Sequence, residues 1–590
     1  MKRGRTPFSA PSWLTEGEKK GYGPFSTKEA SLSSPPRPAD CLEGNDALIR
    51  GAWLEARAAF DKALVDRESP EAFEGLGLAA WWLDLADVVF DSRERAYRLY
   101  VARGDQRGAA RVAVWLAWDH WAFRGENAVA NGWLQRARRL LDGQPDCAER
   151  AWLEVREGSL SLLEEGDPDR AHALAAEGIR IAKAIGNTDL EMLGRAVQGL
   201  ALVASGAVAE GMRGLDEVNA AVVAGELRDL VAIGLSCCYM IAACDRVRDY
   251  DRAAQWCTRL KAFCAKWGLR PLFAVCRTQY ASLCMWRGTW VEAEEELVAA
   301  SDELAASRPA MTADAVVRLA ELRRRQGRLV EAAALFDQAE GHGLALLGCA
   351  EIAFDRGDLR AAAEQAARYL RRVPLHNRTD RAAGLDLLIR AQTGLDDRDG
   401  ARTAIAELTA IAALVDTDPL HAAASFAAGY AALGDGRADE SRRHLEDAVD
   451  LFLKSGAPFE LARARIELAR ALAALGRVGE AAQEAQRAID ILTELKAELE
   501  IGRARTLIDS LAAAPRADSR SGTSRTAGLT KREVQVLRLV AEGLNNQTIA
   551  ERLFVSDHTI HRHLANILNK LSVSSRAAAV AQAARRGLLN

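Results

Sequence analysis

A chain of 590 residues is too long for one small domain, so several units or a repeat array are expected. Hydrophobic residues at 49% and charged residues at 27% exclude a disordered or fibrous chain, and no apolar run approaches the ~18–20 residues of a membrane helix. The net charge of −4 is uneven: residues 528–590 hold nine Lys and Arg against four Asp and Glu, a net +5, leaving −9 on residues 1–527. A basic module on an acidic body concentrates affinity for nucleic acid at one end.

Residues 1–40 are rich in Ser, Pro, Gly and charge, a composition that predicts a disordered segment. No apolar stretch follows Met1-Lys2-Arg3, so a signal peptide is not expected.

Residues 41–511 read as helix after helix. A recurring phrase marks the turn inside each helix pair: a Gly, Asp or Arg, a few residues, then an Ala-rich amphipathic stretch. It starts at Gly51, Gly125, Gly166, Gly206, Arg248, Gly288, Gly327, Gly357, Asp396, Gly436 and Gly476. From Gly125 onward the offsets are 41, 40, 42, 40, 39, 30, 39, 40 and 40, which is a repeat array. The one short step implies a clipped repeat around Gly341-His342-Gly343. Small residues such as Ala332, Ala361 and Ala481 are expected to let paired helices approach closely. One such pair cannot bury its apolar face alone, so neighbours must stack into a superhelix with a concave surface. The phrases resemble tetratricopeptide repeats, with a period longer than that family's ~34.

Seven of the ten Cys lie between Cys237 and Cys284, with no C-x-x-C pair. Spacings of six to eight along helices put thiols roughly 10 Å apart, so they read as small buried residues rather than metal ligands. Trp81, Trp82, Trp115, Trp118, Trp121, Trp133 and Trp152 cluster early in the array. They are expected to pack the core, with an aromatic-lined groove as the alternative. Residues 512–527 lack periodic apolar positions and read as a flexible linker.

Residues 528–590 predict four short helices. Thr530 and Glu533 have capping-box spacing. Val536, Leu537, Leu539 and Val540 give the first helix an apolar face, and Gly543 ends it. Asn545 or Asn546 opens the second helix, which carries Ile549, Ala550 and Leu553. After the turn Phe554-Val555-Ser556, Ser556 is expected to cap a third helix from Asp557 to about Leu571. Ile560, Leu564, Ile567, Leu568 and Leu571 should face its core. His558, His561, Arg562, Ala565, Asn566 and Asn569 fall on the opposite side, a donor-rich face that suits the major groove. Two helices joined by so short a turn are a helix-turn-helix signature.

The stretch resembles the LuxR-type helix-turn-helix family. The residues that carry the likeness include Leu529-Thr530, Arg532-Glu533, Gly543-Leu544, Asn546, Ile549-Ala550, Thr559-Ile560, Lys570-Leu571, Ser575-Arg576 and Val580. It departs at Gln535, Asn545 and Thr548, none of them on the outward face of the third helix; Thr548 weakens the second capping box. The resemblance implies DNA contacts from His558, Thr559, His561, Arg562, Ala565, Asn566 and Lys570. It also implies a homodimer on DNA through the last helix, whose Ala577, Val580, Ala581 and Ala584 are small. The repeats just before it look like those of large LuxR-type regulators, which usually carry an ATPase. No G-x-x-x-x-G-K-[ST] loop occurs here, so that part of the resemblance fails.

The fold class expected is all-α: a tetratricopeptide-like superhelix followed by a four-helix LuxR-type domain. The function expected is a cytoplasmic, sequence-specific DNA-binding regulator whose repeat body senses a ligand, peptide or partner protein such as RNA polymerase. No catalytic constellation, cofactor or metal motif is found. The alternative is an interaction scaffold with auxiliary DNA binding.

Overall fold

The structure, a computed structural model, describes residues 41–267, 270–305, 308–513, 529, 531–553, 560, 563–564, 567–568, 570–571, 573 and 575–588. The segments read as a disordered start and, apart from residues 512–513, as a linker lie outside the described residues. Residues 512 and 513 instead finish the helix Glu498–Ala513.

Every described element of the body is helical, and consecutive helices lie side by side as pairs. The turn inside a pair is set by a backbone requirement. All eleven residues that open the recurring phrase have positive φ: 59° at Asp396, 61° at Arg248 and 65–97° at the glycines. The left-handed residue closes the preceding helix with a pair of bonds. In one instance Gly206 N–H donates to Val203 O at 3.0 Å and Ala207 N–H to Leu202 O at 2.9 Å. This is the cap that glycine satisfies at no steric cost. A further pair, Pro70–Trp82 with Ala86–Arg103, turns at Asp84 with φ 58°. Its phrase carries Val89 where the others carry Ala, Gly or Ser, and so does not read as a repeat.

Five residues after each left-handed position stands a small residue, buried between the paired helices. These are Ala56, Ala130, Ala171, Gly211, Ala253, Ala293, Ala332, Ala362, Ala401, Ser441 and Ala481, with Val89 in the Asp84 pair. The expectation for Ala361 is therefore off by one residue: Ala362 is the fully buried one, and Ala361 is half-buried. At the tightest crossing, a Cβ added to Gly211 would meet the Gly199 carbonyl oxygen at 2.5 Å. The clipped repeat is present as the ten-residue helix Leu329–Gln338 and the thirteen-residue helix Gly343–Asp355.

The array coils until later repeats touch earlier ones. Arg308 reaches Asp84 at 2.7 Å and the Trp81 carbonyl at 2.9 Å. Asn377 donates to Gly166 O at 3.0 Å, and Trp286 to Ser455 O at 3.3 Å. The described Cys are free, and Cys237, Cys244, Cys257 and Cys284 are buried. Burial pushes the Cys257 thiol up to about 12 and that of Cys284 to about 11. Unreactive packing thiols are the result. One helix, Leu230–Val247, does have the length and hydropathy to cross a membrane, which the sequence reading missed; 72% of it is buried inside the array.

Candidate nucleic-acid interface

The C-terminal unit has its own core: Leu529, Val536, Leu537, Leu539, Val540, Ile549, Ala550, Ile560, Leu564, Ile567, Leu571, Ala579, Ala583 and Leu588. The first helix, Lys531–Ala541, supplies four of these from one face. Gly543, at φ 85°, ends it, and Leu544 N–H donates back to Leu539 O at 3.3 Å. Asn545 then caps the helix Asn546–Leu553 by accepting from Thr548 N–H at 2.8 Å. Thr548 also donates its hydroxyl to Asn545 Oδ1 at 2.9 Å, so it reinforces the cap in place of the usual acid.

In the third helix, residues 560, 563–564, 567–568 and 570–571 are described and helical. Ile560, Leu564, Ile567 and Leu571 are buried, Leu568 is packed against them, and His563 is half-buried. The face expected inside is inside. His558, Thr559, His561, Arg562, Ala565, Asn566 and Asn569, like Thr530 and the turn with Ser556, lie outside the described residues. With the core face fixed, helical geometry leaves the other side as the candidate DNA face.

Lys570, the remaining candidate, is half-exposed and already has a partner. Its ammonium donates to Glu533 Oε1 at 2.9 Å and Oε2 at 2.8 Å, and the Glu533 side chain is 3% exposed. Two further cations tie the unit together. Arg532 donates to the Leu553 carbonyl at 2.8 Å, and partial burial pushes its guanidinium below the ordinary value. Arg576 donates to Asn546 Oδ1 at 2.8 Å and to the Leu544 carbonyl. These staples join the first helix to the third, the first to the end of the second, and the last to the start of the second. Sequence reasoning counted all three in the net charge of the unit and gave Lys570 a phosphate contact. Their signal was that each sits within the densest part of the family-like pattern.

The last helix, Arg576–Arg585, is capped by Ser575, whose hydroxyl oxygen accepts from Ala578 N–H at 3.2 Å. Ala579 and Ala583 pack inward, while Ala577, Ala581 and Ala584 are exposed and Val580 is half-buried.

Residues 527–583 match the model for bacterial regulatory proteins of the luxR family. The chain is 48% identical over 62 residues to the transcriptional regulatory protein LiaR of Bacillus subtilis, which is 10% of this chain and 29% of that one. It is 52% identical over 59 residues to a putative HTH-type transcriptional regulator of Mycobacterium tuberculosis, 10% of this chain and 7% of that one. A nitrate/nitrite response regulator homolog of Haemophilus influenzae is 53% identical over 51 residues, 9% and 24% of the two chains. The chain thus spans under a third of the length of each of these relatives. Among solved structures, the Cut9–Hcn1 hetero-tetramer of the APC/C aligns over 80% of this chain and 95% of its own, with TM-score 0.45 and 14% identity. Sequence match, core and caps together place the C-terminal unit of this chain in the luxR family of helix-turn-helix DNA-binding domains.

Proposed function

We propose that the protein is a sequence-specific, DNA-binding transcriptional regulator whose helical-repeat body receives the signal. The observation that carries this is the luxR-type unit at residues 527–583, with the third helix's apolar face seated in the core. In this reading His558, His561, Arg562, Ala565 and Asn566 face the major groove and Thr559 meets phosphate. Arg562 and Asn566 have the donor patterns that read guanine and adenine edges. Lys570 acts close to phosphate while anchored on Glu533, so its first contribution is to hold the recognition helix at its angle. The exposed Ala577, Ala581 and Ala584 admit a twin helix closely, which fits a homodimer on DNA. The body would take a ligand, peptide or partner protein, RNA polymerase included, and the protein would act in the cytoplasm.

Genomic DNA recovered with the full-length chain should be enriched in one sequence motif. Arg562→Ala should then cost about 1–3 kcal/mol at one base position and relax preference there. Equal losses on the motif and on random DNA would show that the helix docks in another way.

A further inference from the structure

The coiled array encloses a cavity of about 1210 Å³, at or above the upper end of the range for small-molecule pockets. One end is aromatic, walled by Trp81, Trp118 and Trp121. Trp121 rides on a π-helical turn, His120–Arg124, of the kind that recurs at functional sites. Trp118 and Trp121 lie 4.5 Å apart, and Trp121 donates to Glu164.

Behind this wall lies Arg156, 1% exposed. Its guanidinium carbon sits 3.3 Å from the centre of the Trp118 ring and 4.9 Å from that of Trp152. Its three side-chain nitrogens have no carboxylate partner among the described residues; their polar neighbour is the Tyr239 hydroxyl. Tyr239, which also lines the cavity, gives its proton to Ser159 Oγ at 2.8 Å. The nearby charges do not balance. Arg93 pairs with Asp119 and Arg308 with Asp84, so three buried guanidinium groups share two carboxylates. Burial pushes Arg156 down to about 10, which leaves it a cation at neutral pH. Elsewhere along the cavity Arg318 pairs with Asp314 and Asp245, and Arg324 with Glu321 and Asp355.

A buried cation without a counter-charge is costly, and proteins normally compensate it. We propose that the aromatic end of this cavity binds a small organic anion, its apolar body against Trp118 and Trp121 and its acid group drawn toward Arg156. This deepens the reading of the body as a signal receiver and rests on it.

The test uses the full-length chain and two fluorescent probes of similar shape, anionic 1-anilinonaphthalene-8-sulfonate and neutral N-phenyl-1-naphthylamine. The anionic probe should bind saturably, one per chain. Arg156→Met should weaken it by about tenfold, the worth of attraction to a nearby charge in a water-poor site, and leave the neutral probe unchanged. Trp121→Ala should weaken both. Without any variant, 1-naphthoate should displace the anionic probe where 1-naphthalenemethanol does not. Absence of saturable binding, equal displacement by acid and alcohol, or equal effects of Arg156→Met on both probes would overturn the proposal. DNA binding is scored on the same preparations. Its loss with probe binding intact would count against the regulator reading alone.

Discussion

Lys570 shows how one side chain can look like a ligand-facing charge and act inside the fold. Its exposed position suits phosphate, yet its ammonium is held by a buried carboxylate. Lys570→Ala would take a cation away from the buried Glu533 carboxylate. Because Lys570 is half-exposed, the cost should be about 1–3 kcal/mol, less than for a fully buried pair. Denaturation should show that cost largely removed in Lys570→Met with Glu533→Gln. Loss of DNA affinity in Lys570→Ala with unchanged stability would make Lys570 a phosphate ligand first. A second residue carries a pH signature. Burial, then the neighbouring Asp229 carboxylate, raises Asp189 to about 6, although it accepts from the N–H groups of Arg228 and Asp229. Between pH ~4 and ~6 the folded state therefore binds more protons than the unfolded one. The stability from this group is present below about pH 4 and lost as pH rises through about 6. Asp189→Asn keeps the acceptor and removes the charge, so it should stabilise by about 1–2 kcal/mol at pH 7. The gain should vanish near pH 4 when unfolding midpoints are compared.

At the scale of the element, the repeat works by placing large rings over glycines of the next helix. Phe60 and Phe336 both stand nine residues after a left-handed glycine. They lie over Gly75 and Gly348, where an added Cβ would meet ring atoms at 2.3 Å and 2.0 Å. Gly348→Ala gains helix propensity but forces Phe336 out of place, and should destabilise by about 1–3 kcal/mol. Gly479→Ala, in the exposed first turn of Val478–Leu495, meets nothing within 4 Å and should stabilise by about 0.5–1 kcal/mol. Thermal unfolding of the two variants should therefore move in opposite directions. In the clipped repeat, His342 caps Gly343–Asp355 by accepting from Leu344 N–H at 3.2 Å, and burial lowers its pKa. The stability from this cap is fully present above the ordinary histidine pKa and is lost as pH falls through the lowered value of the folded state.

At the scale of the molecule, the coil is closed by contacts between residues 134 to 227 positions apart. Arg308 is the deepest. It lies 4.2 Å from the Trp81 ring centre and 4.3 Å from that of Phe123, and pairs with Asp84. Arg308→Ala removes the tie and leaves Asp84 poorly compensated, a cost of about 3–5 kcal/mol. Small-angle scattering should record a larger radius of gyration. Wild-type dimensions with wild-type stability would show that stacking alone sets the curvature.

What the sequence determined by itself was local. A left-handed turn residue, a small residue near the helix crossing and an apolar helical face are each decided within a few positions. So the period near 40, the helix pairs, the core of the C-terminal unit and its family were legible in the letters. The Asp84 pair escaped because Val89 stands where the other phrases carry Ala, Gly or Ser, and Ala361 was misread for Ala362 because neighbouring alanines look alike. Tertiary structure decided the rest. Whether Arg532, Lys570 and Arg576 point to solvent or staple helices depends on which backbone or carboxylate lies across the core. Whether Trp118 and Trp121 pack or line a cavity depends on how far the array curls. The excess charge at Arg156 exists because helices remote in sequence bring three guanidinium groups and two carboxylates into one water-poor volume, where a missing partner cannot be replaced by solvent.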